Sequence, residues 1–167
     1  QVRDSVIRLV HICLILVLPR RLPRSSAPYW LYYDGPTIAL SFFSSRGRLG
    51  ESESWFRQLA IGGLGGLFYS QGSRKIFGLP IRMKTERLSD WLLIPTAISE
   101  EIIWRGKTKT AVDGFASILG FAFLHHPLGG LRAVLHMGIF ATVAQLLRSR
   151  HGLGAAATFH VVYNLFR

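Results

Sequence analysis

Six polar residues in the second half of the chain have the types and spacing that hydrolysis of an amide requires. They are Glu100, Glu101, Arg105, His125, His160 and Asn164. A carboxylate can accept a proton from water, and such a general base contributes roughly 10² to 10⁴ in rate. Imidazole N–H and amide NH₂ groups can donate to the oxyanion that forms on the attacked carbonyl, each donor being worth about 10² to 10³. The set therefore indicates attack by water on an amide.

Helical periodicity distinguishes the two adjacent glutamates. Glu101 and Arg105 are four residues apart, so on a helix they share a face and can form an ion pair. Glu100 points about 100° away from that face and is left available for chemistry. We therefore predict Glu100 as the general base and Glu101 with Arg105 as a supporting pair. The alternative, common in soluble helices, is that both glutamates solvate a helix end.

The polar residues lie in or beside apolar runs of helical length. The runs cover residues 88–104, 111–126, 131–147 and 154–166, and short loops join them. Unpaired in hydrocarbon, the ionisable side chains would cost on the order of 10 kcal/mol, comparable to the stability of a whole domain. We therefore predict an antiparallel four-helix bundle whose polar faces converge on an internal, water-filled cavity.

The part of the chain before residue 88 has a less regular pattern. Apolar or aromatic segments occur at residues 6–18, 29–33, 37–43 and 55–70. Of these, 55–70 is a plausible membrane span, 29–33 is typical of a membrane interface, and 37–43 suits a short surface or re-entrant helix. In 55–70, Gly62 and Gly66 have the small-xxx-small spacing that lets two membrane helices pack closely. Residues 71–87 then form a basic connector.

These patterns predict an all-α fold, a polytopic membrane helix bundle. We divide the chain into an N-terminal membrane-associated region with basic linkers, residues 1–87, and a four-helix catalytic core, residues 88–167. One or two further apolar helices are expected to precede that core.

Composition supports a membrane location. The 167 residues are 49% hydrophobic and only 17% charged, whereas soluble domains are about 25% charged. The net charge of +11 comes from short basic clusters between apolar runs, which is typical of loops that flank membrane spans. A nucleic-acid-binding protein would instead collect its charge on one face, so we predict a lipid bilayer and no nucleic acid as partner. The expected location is integral and multi-pass, in a bacterial-type cytoplasmic membrane.

Three short motifs give the pattern a family resemblance. They are Glu100-Glu101-x-x-x-Arg105, Phe121-x-x-x-His125 and His160-x-x-x-Asn164. In this order the motifs resemble those of the CAAX protease and bacteriocin-processing family, also called the Abi or type II CAAX prenyl endopeptidase family. The resemblance covers about residues 88–167. It implies an all-helical intramembrane peptidase without a cofactor, acting on a peptide or protein in or at the membrane.

The resemblance also implies roles for the motif residues. Glu100 and His125 would activate water, and His160 and Asn164 would stabilise the oxyanion. Two features depart from the family pattern. The segment from Arg105 to Phe121 is shorter than the family's, and the doublet His125-His126 offers two histidines for the second motif, of which the position of Phe121 favours His125.

Two other functions remain open at this point. One is a non-catalytic membrane immunity or partner protein, in which the motif residues only hold the bundle together. The other is a zinc-dependent membrane hydrolase, because histidine and glutamate are zinc ligands. The chain has no His-Glu-x-x-His pair and asparagine is a poor zinc ligand, so we predict no metal.

Overall fold

The part of the chain that the computed structural model describes is almost entirely helical. It comprises residues 2–17, 29–44, 54–78 and 91–166. The helices are α1 (Val2–Val17), α2 (Gly35–Phe43), α3 (Trp55–Phe77), α4 (Leu93–Arg105), α5 (Ala111–Leu124), α6 (His126–His151) and α7 (Leu153–Leu165), with a π-helical turn, Trp30–Asp34, before α2. No strand occurs in these four ranges, which confirms the all-α class.

The four predicted core helices correspond to α4 to α7, whereas the region before them differs from expectation. Three helices precede α4 among the described residues, where one or two apolar helices are expected; the nine-residue α2 corresponds to the short surface or re-entrant helix predicted at residues 37–43. Helix α3 continues to Phe77, through the first part of the predicted connector. It ends there because Gly78 adopts a left-handed conformation (φ 64°) that closes the helix.

Helices α4 and α6 begin at other residues than predicted, and a proline or a pair of glycines lies near each of these starts. Helix α4 begins at Leu93, so Pro95 lies in its first turn, where a missing N–H costs no hydrogen bond; the start of the predicted helix, 88–90, lies outside the described residues. Helix α6 begins at His126, the last residue of the predicted run 111–126, and continues through the predicted loop 127–130, where it is kinked at Gly129 and Gly130. Gly130 has φ 60° and ψ −149°, a conformation that glycine tolerates.

The glycines of α3 bring this helix directly against α7. A methyl group on Gly66 would lie 2.7 Å from the carbonyl oxygen of Phe159 and 2.9 Å from Cβ of Val162. One on Gly62 would lie 2.9 Å from Cβ of Thr158. The predicted close packing at Gly62 and Gly66 is confirmed, and it fixes the position of α7.

One hydrophobic cluster, rich in aromatic residues, joins the N-terminal helices to the later ones. Its members are Ile7, Ile15, Tyr29, Tyr33, Ile103, Trp104, Phe121, Leu124, Met137, Phe140, Ala141, Ala144, Ala156, Phe159 and Tyr163. Residues from both sides of the predicted boundary at residue 87 therefore share a single core. The boundary itself lies outside the described residues.

Apolar side chains are common on the surface as well as in the core, and some charged side chains are buried. Large apolar side chains are exposed on the outer faces of the helices, such as Phe68 (74% exposed) and Leu131 (68%), while several charged side chains are buried. Among the described residues, only α6 is long and apolar enough to cross a membrane; α5 is apolar but shorter. The multi-pass topology therefore stays a prediction.

We predict opposite effects for two glycine substitutions in α3. Gly66→Ala should lower the free energy of unfolding by about 1 to 3 kcal/mol, because its methyl group overlaps α7. Gly72→Ala, with no atom within 4 Å of the added carbon, should raise it by about 0.5 to 1 kcal/mol. Unfolding in mixed detergent micelles, followed by circular dichroism, measures both. Equal effects would contradict the close α3–α7 contact.

Candidate active site

Side chains from three other helices hold the C-terminal end of α4, the helix that carries the two glutamates. Arg8 of α1 and Ser117 of α5 donate to the carbonyl oxygen of Trp104, at 2.8 and 2.7 Å. Arg148 of α6 donates to the carbonyl oxygen of Arg105 at 3.2 Å. The last carbonyls of a helix lack partners within it, so these three donors satisfy α4 and fix its position in the bundle.

Glu101 and Arg105 form the predicted ion pair. Nη1 of Arg105 lies 2.7 Å from Oε1 of Glu101, and both side chains are fully buried. The guanidinium lies over the ring of Phe121 (4.8 Å to its centroid) and also donates to the carbonyl oxygen of Ala141. The periodicity argument is confirmed for this pair.

His160 of α7 lies between the two glutamates. Its Nδ1 is 2.8 Å from Oε1 of Glu101, and its Nε2 is 3.4 Å from Oε2 of Glu100. Because Glu101 is held as a carboxylate by Arg105, Nδ1 of His160 carries a proton and donates it to Oε1 of Glu101. Arg105, Glu101, His160 and Glu100 thus form a buried line of contacts, which we call the charge line.

Aromatic rings hold the imidazole of His160 in this orientation. The ring centroid of Phe140 lies 4.8 Å from that of His160, and Phe121 meets it edge-on at 5.8 Å. Both phenylalanines are fully buried. The imidazole therefore has little freedom to turn away from the glutamates.

Glu100 is not left without a partner, contrary to the prediction from its position on the helix. The hydroxyl of Tyr33 donates to Oε1 of Glu100 at 2.5 Å, while Oε2 faces His160. The interpretation of residues 29–33 as an interfacial belt misses this contact. The spacing of Tyr29 and Tyr33, four residues apart, is the available sequence signal, because it places both on one helix face; in the structure both are buried and the three residues between them are exposed.

The other two predicted catalytic residues are buried in the same bundle. His125 is hydrogen-bonded through Nδ1 to the carbonyl oxygen of Phe121 (2.9 Å), and its ring packs on that of Phe121 with 5.0 Å between centroids. Asn164 is one helical turn beyond His160 on α7 and is also buried. His126, by contrast, is exposed, so burial favours His125 as the histidine of the second motif.

A further buried histidine, His11 of α1, lies outside the three motifs. It is fully buried, and its ring stacks on Tyr33 with 5.6 Å between centroids. Nε1 of Trp104 donates to Nδ1 of His11 at 3.1 Å. Nothing in the local pattern around His11 distinguishes it from an ordinary packing residue.

The donor set does not form a metal centre in the described ranges. No group of three or more histidine, cysteine or carboxylate side chains there is arranged to hold a metal ion. Instead, the carboxylates and the imidazole of the charge line contact each other and Arg105.

No protein-family model matches the chain, and no curated protein or solved structure gives a significant match. A functional assignment therefore depends on the geometry of the charge line and its neighbours.

We predict that Glu101 matters chiefly for stability. Glu101→Gln leaves Arg105 buried without a counter-charge and should lower the free energy of unfolding by about 3 to 5 kcal/mol. The double variant Glu101→Leu with Arg105→Met removes both charges and should recover much of that loss. Denaturation in detergent micelles compares the variants with wild type. A double variant less stable than Glu101→Gln would contradict this account.

Proposed function

We propose that the chain is a membrane-embedded endopeptidase of the glutamic type, similar to the CAAX protease and bacteriocin-processing family. One observation carries the proposal. Glu100 and His160, from two motifs far apart in sequence, lie with Oε2 and Nε2 3.4 Å apart inside a buried apolar bundle. A carboxylate beside an imidazole, with further donors nearby, suits water activation and oxyanion stabilisation.

In the proposed reaction, Glu100 takes a proton from water as the water oxygen attacks the peptide carbonyl carbon. The carbonyl oxygen becomes an oxyanion and accepts hydrogen bonds from N–H donors of His160 and Asn164. Glu100 then gives its proton to the leaving nitrogen as the C–N bond breaks, which restores the carboxylate. His125 assists Glu100 in activating the water, the role that the family resemblance implies for it.

The geometry places a condition on the role of His160. Its Nδ1 proton is already donated to Glu101, so Nε2 can donate only when the ring is an imidazolium. Glu101 is held in place by Arg105 and accepts from Nδ1 of His160. In the proposed mechanism, the supporting pair therefore orients the imidazole.

Exposed apolar side chains support the proposed bilayer location. Phe68, Leu131 and Ile139 are among many large apolar side chains that are exposed, and large exposed apolar surfaces mark membrane or partner interfaces. The bond from Arg148 to the carbonyl of Arg105 brings the basic ends of α4 and α6 together. By the positive-inside rule, we assign this end to the cytoplasm of a bacterial-type membrane.

A non-catalytic membrane protein is the second candidate. The observation in its favour is that both carboxylate oxygens of Glu100 have partners, Tyr33 and His160, as a purely structural residue would. In that case the charge line holds the bundle together and turns over no substrate.

Adjacent histidines provide a matched test of the peptidase. In proteoliposomes given a fluorescence-quenched peptide library, Glu100→Gln should reduce cleavage by about 10² to 10⁴, and His125→Ala should reduce it substantially. His126→Ala, which changes an exposed side chain, should cleave like wild type. No wild-type cleavage above that of Glu100→Gln would favour the non-catalytic candidate.

We further predict that cleavage persists after prolonged chelation. If Glu100 activates water directly, removing metal ions leaves the nucleophile unchanged, so the rate should stay within about twofold of the untreated sample. A zinc hydrolase would lose its activated water and recover when zinc is added back. Metal analysis of the purified protein accompanies the assay. Stoichiometric zinc with reversible loss would replace the glutamic mechanism.

A further inference from the structure

Tyr33 fixes one oxygen of Glu100, although it lies far outside the three motifs. Its hydroxyl is 2.5 Å from Oε1, and both side chains are buried. The second oxygen, Oε2, faces His160 at the longer distance of 3.4 Å. The two carboxylate oxygens therefore have different partners, one close and one loose.

The π-helical turn before α2 directs Tyr33 toward α4. A π-helical turn is wider than an α-helical one and is often found at functional sites. Next to Tyr33, Asp34 accepts a hydrogen bond from Thr96 at 3.1 Å, and Thr96 lies one turn before Glu100. Two consecutive residues thus contact α4 at positions four apart, which aligns the turn with the helix.

A second set of contacts holds the ring of Tyr33. His11 stacks on it at an interplanar angle of 28°. Because Trp104 donates to Nδ1 of His11, the neutral imidazole carries its proton on Nε2, which donates to Oγ1 of Thr37 at 3.1 Å. His11 is thereby fixed on both nitrogens, and the phenol ring is held between packed neighbours.

We propose that Tyr33 is a positioning residue of the peptidase: it binds Oε1 of Glu100 so that Oε2 stays directed toward His160 and the reacting water. This inference rests on the proposed function. A carboxylate can rotate about its last side-chain bond, and a bond to one oxygen fixes that rotation. Since misplacement of a reacting group by about 1 Å can cost 10²-fold in rate, loss of the hydroxyl should affect the chemical step.

The test compares two tyrosines of one short segment in the same proteoliposome assay with the quenched peptide library. Tyr33→Phe should lower kcat about 10- to 100-fold and leave KM within about twofold, because the hydroxyl orients the base and does not bind substrate. Tyr32→Phe changes an exposed neighbour and should retain wild-type kcat.

A thermal-unfolding cycle in detergent micelles tests the contact without any substrate. The losses in Tm from Tyr33→Phe and Glu100→Leu should be non-additive in the double variant, because each substitution removes the hydrogen bond between these two side chains. Additive losses, or a Tyr33→Phe variant with wild-type kcat, would overturn the role of Tyr33 while the peptidase stands. Absence of cleavage by wild type would overturn the proposed function, and the positioning role with it.

Discussion

The charge line of Arg105, Glu101, His160 and Glu100 is the constraint on which the rest of the structure depends. Each charge, buried alone at bilayer depth, would cost several kcal/mol. Along the line, Arg105 contacts Glu101, and His160 contacts both carboxylates, so each glutamate has a basic neighbour. Removing either Arg105 or Glu101 leaves a buried charge without its counter-charge. The surrounding helices must therefore hold α4 and α7 in a fixed relative position.

Two sets of contacts fix that relative position. Gly62 and Gly66 let α3 pack directly against the backbone and side chains of α7, the helix that carries His160. Side chains of α1, α5 and α6 bind the end of α4, which seats Glu101. Helices α4 and α7 have 13 residues each, about 20 Å, whereas the hydrocarbon core is about 30 Å thick. In a bilayer their ends would lie away from water, so donors such as Arg8 and Arg148 are needed there.

Local periodicity predicted the parts of the site that lie within one helix. The Glu101–Arg105 pair and the Gly62–Gly66 face each follow from residues four apart, and both are confirmed. Tyr33 and His11 were missed because they reach α4 across the fold, and no periodic pattern encodes a contact between residues 67 positions apart. The length of α3 was underestimated because Arg74 and Lys75 were interpreted as a connector. Basic side chains are in fact favourable in the last turn of a helix.

The correction at Glu100 identifies which of its oxygens can act as the base. Oε1 is 2.5 Å from the Tyr33 hydroxyl, and a proton added there would compete with that donor. Oε2 is 3.4 Å from Nε2 of His160, beyond the usual range of about 2.7 to 3.2 Å for an N–H···O hydrogen bond. Oε2 is therefore the more weakly held oxygen and has the capacity to accept a proton from water. Under the proposed function, Tyr33 fixes Oε1 of Glu100, and Oε2 is the oxygen that reacts. Oε2 faces the imidazole of His160, which would stabilise the oxyanion.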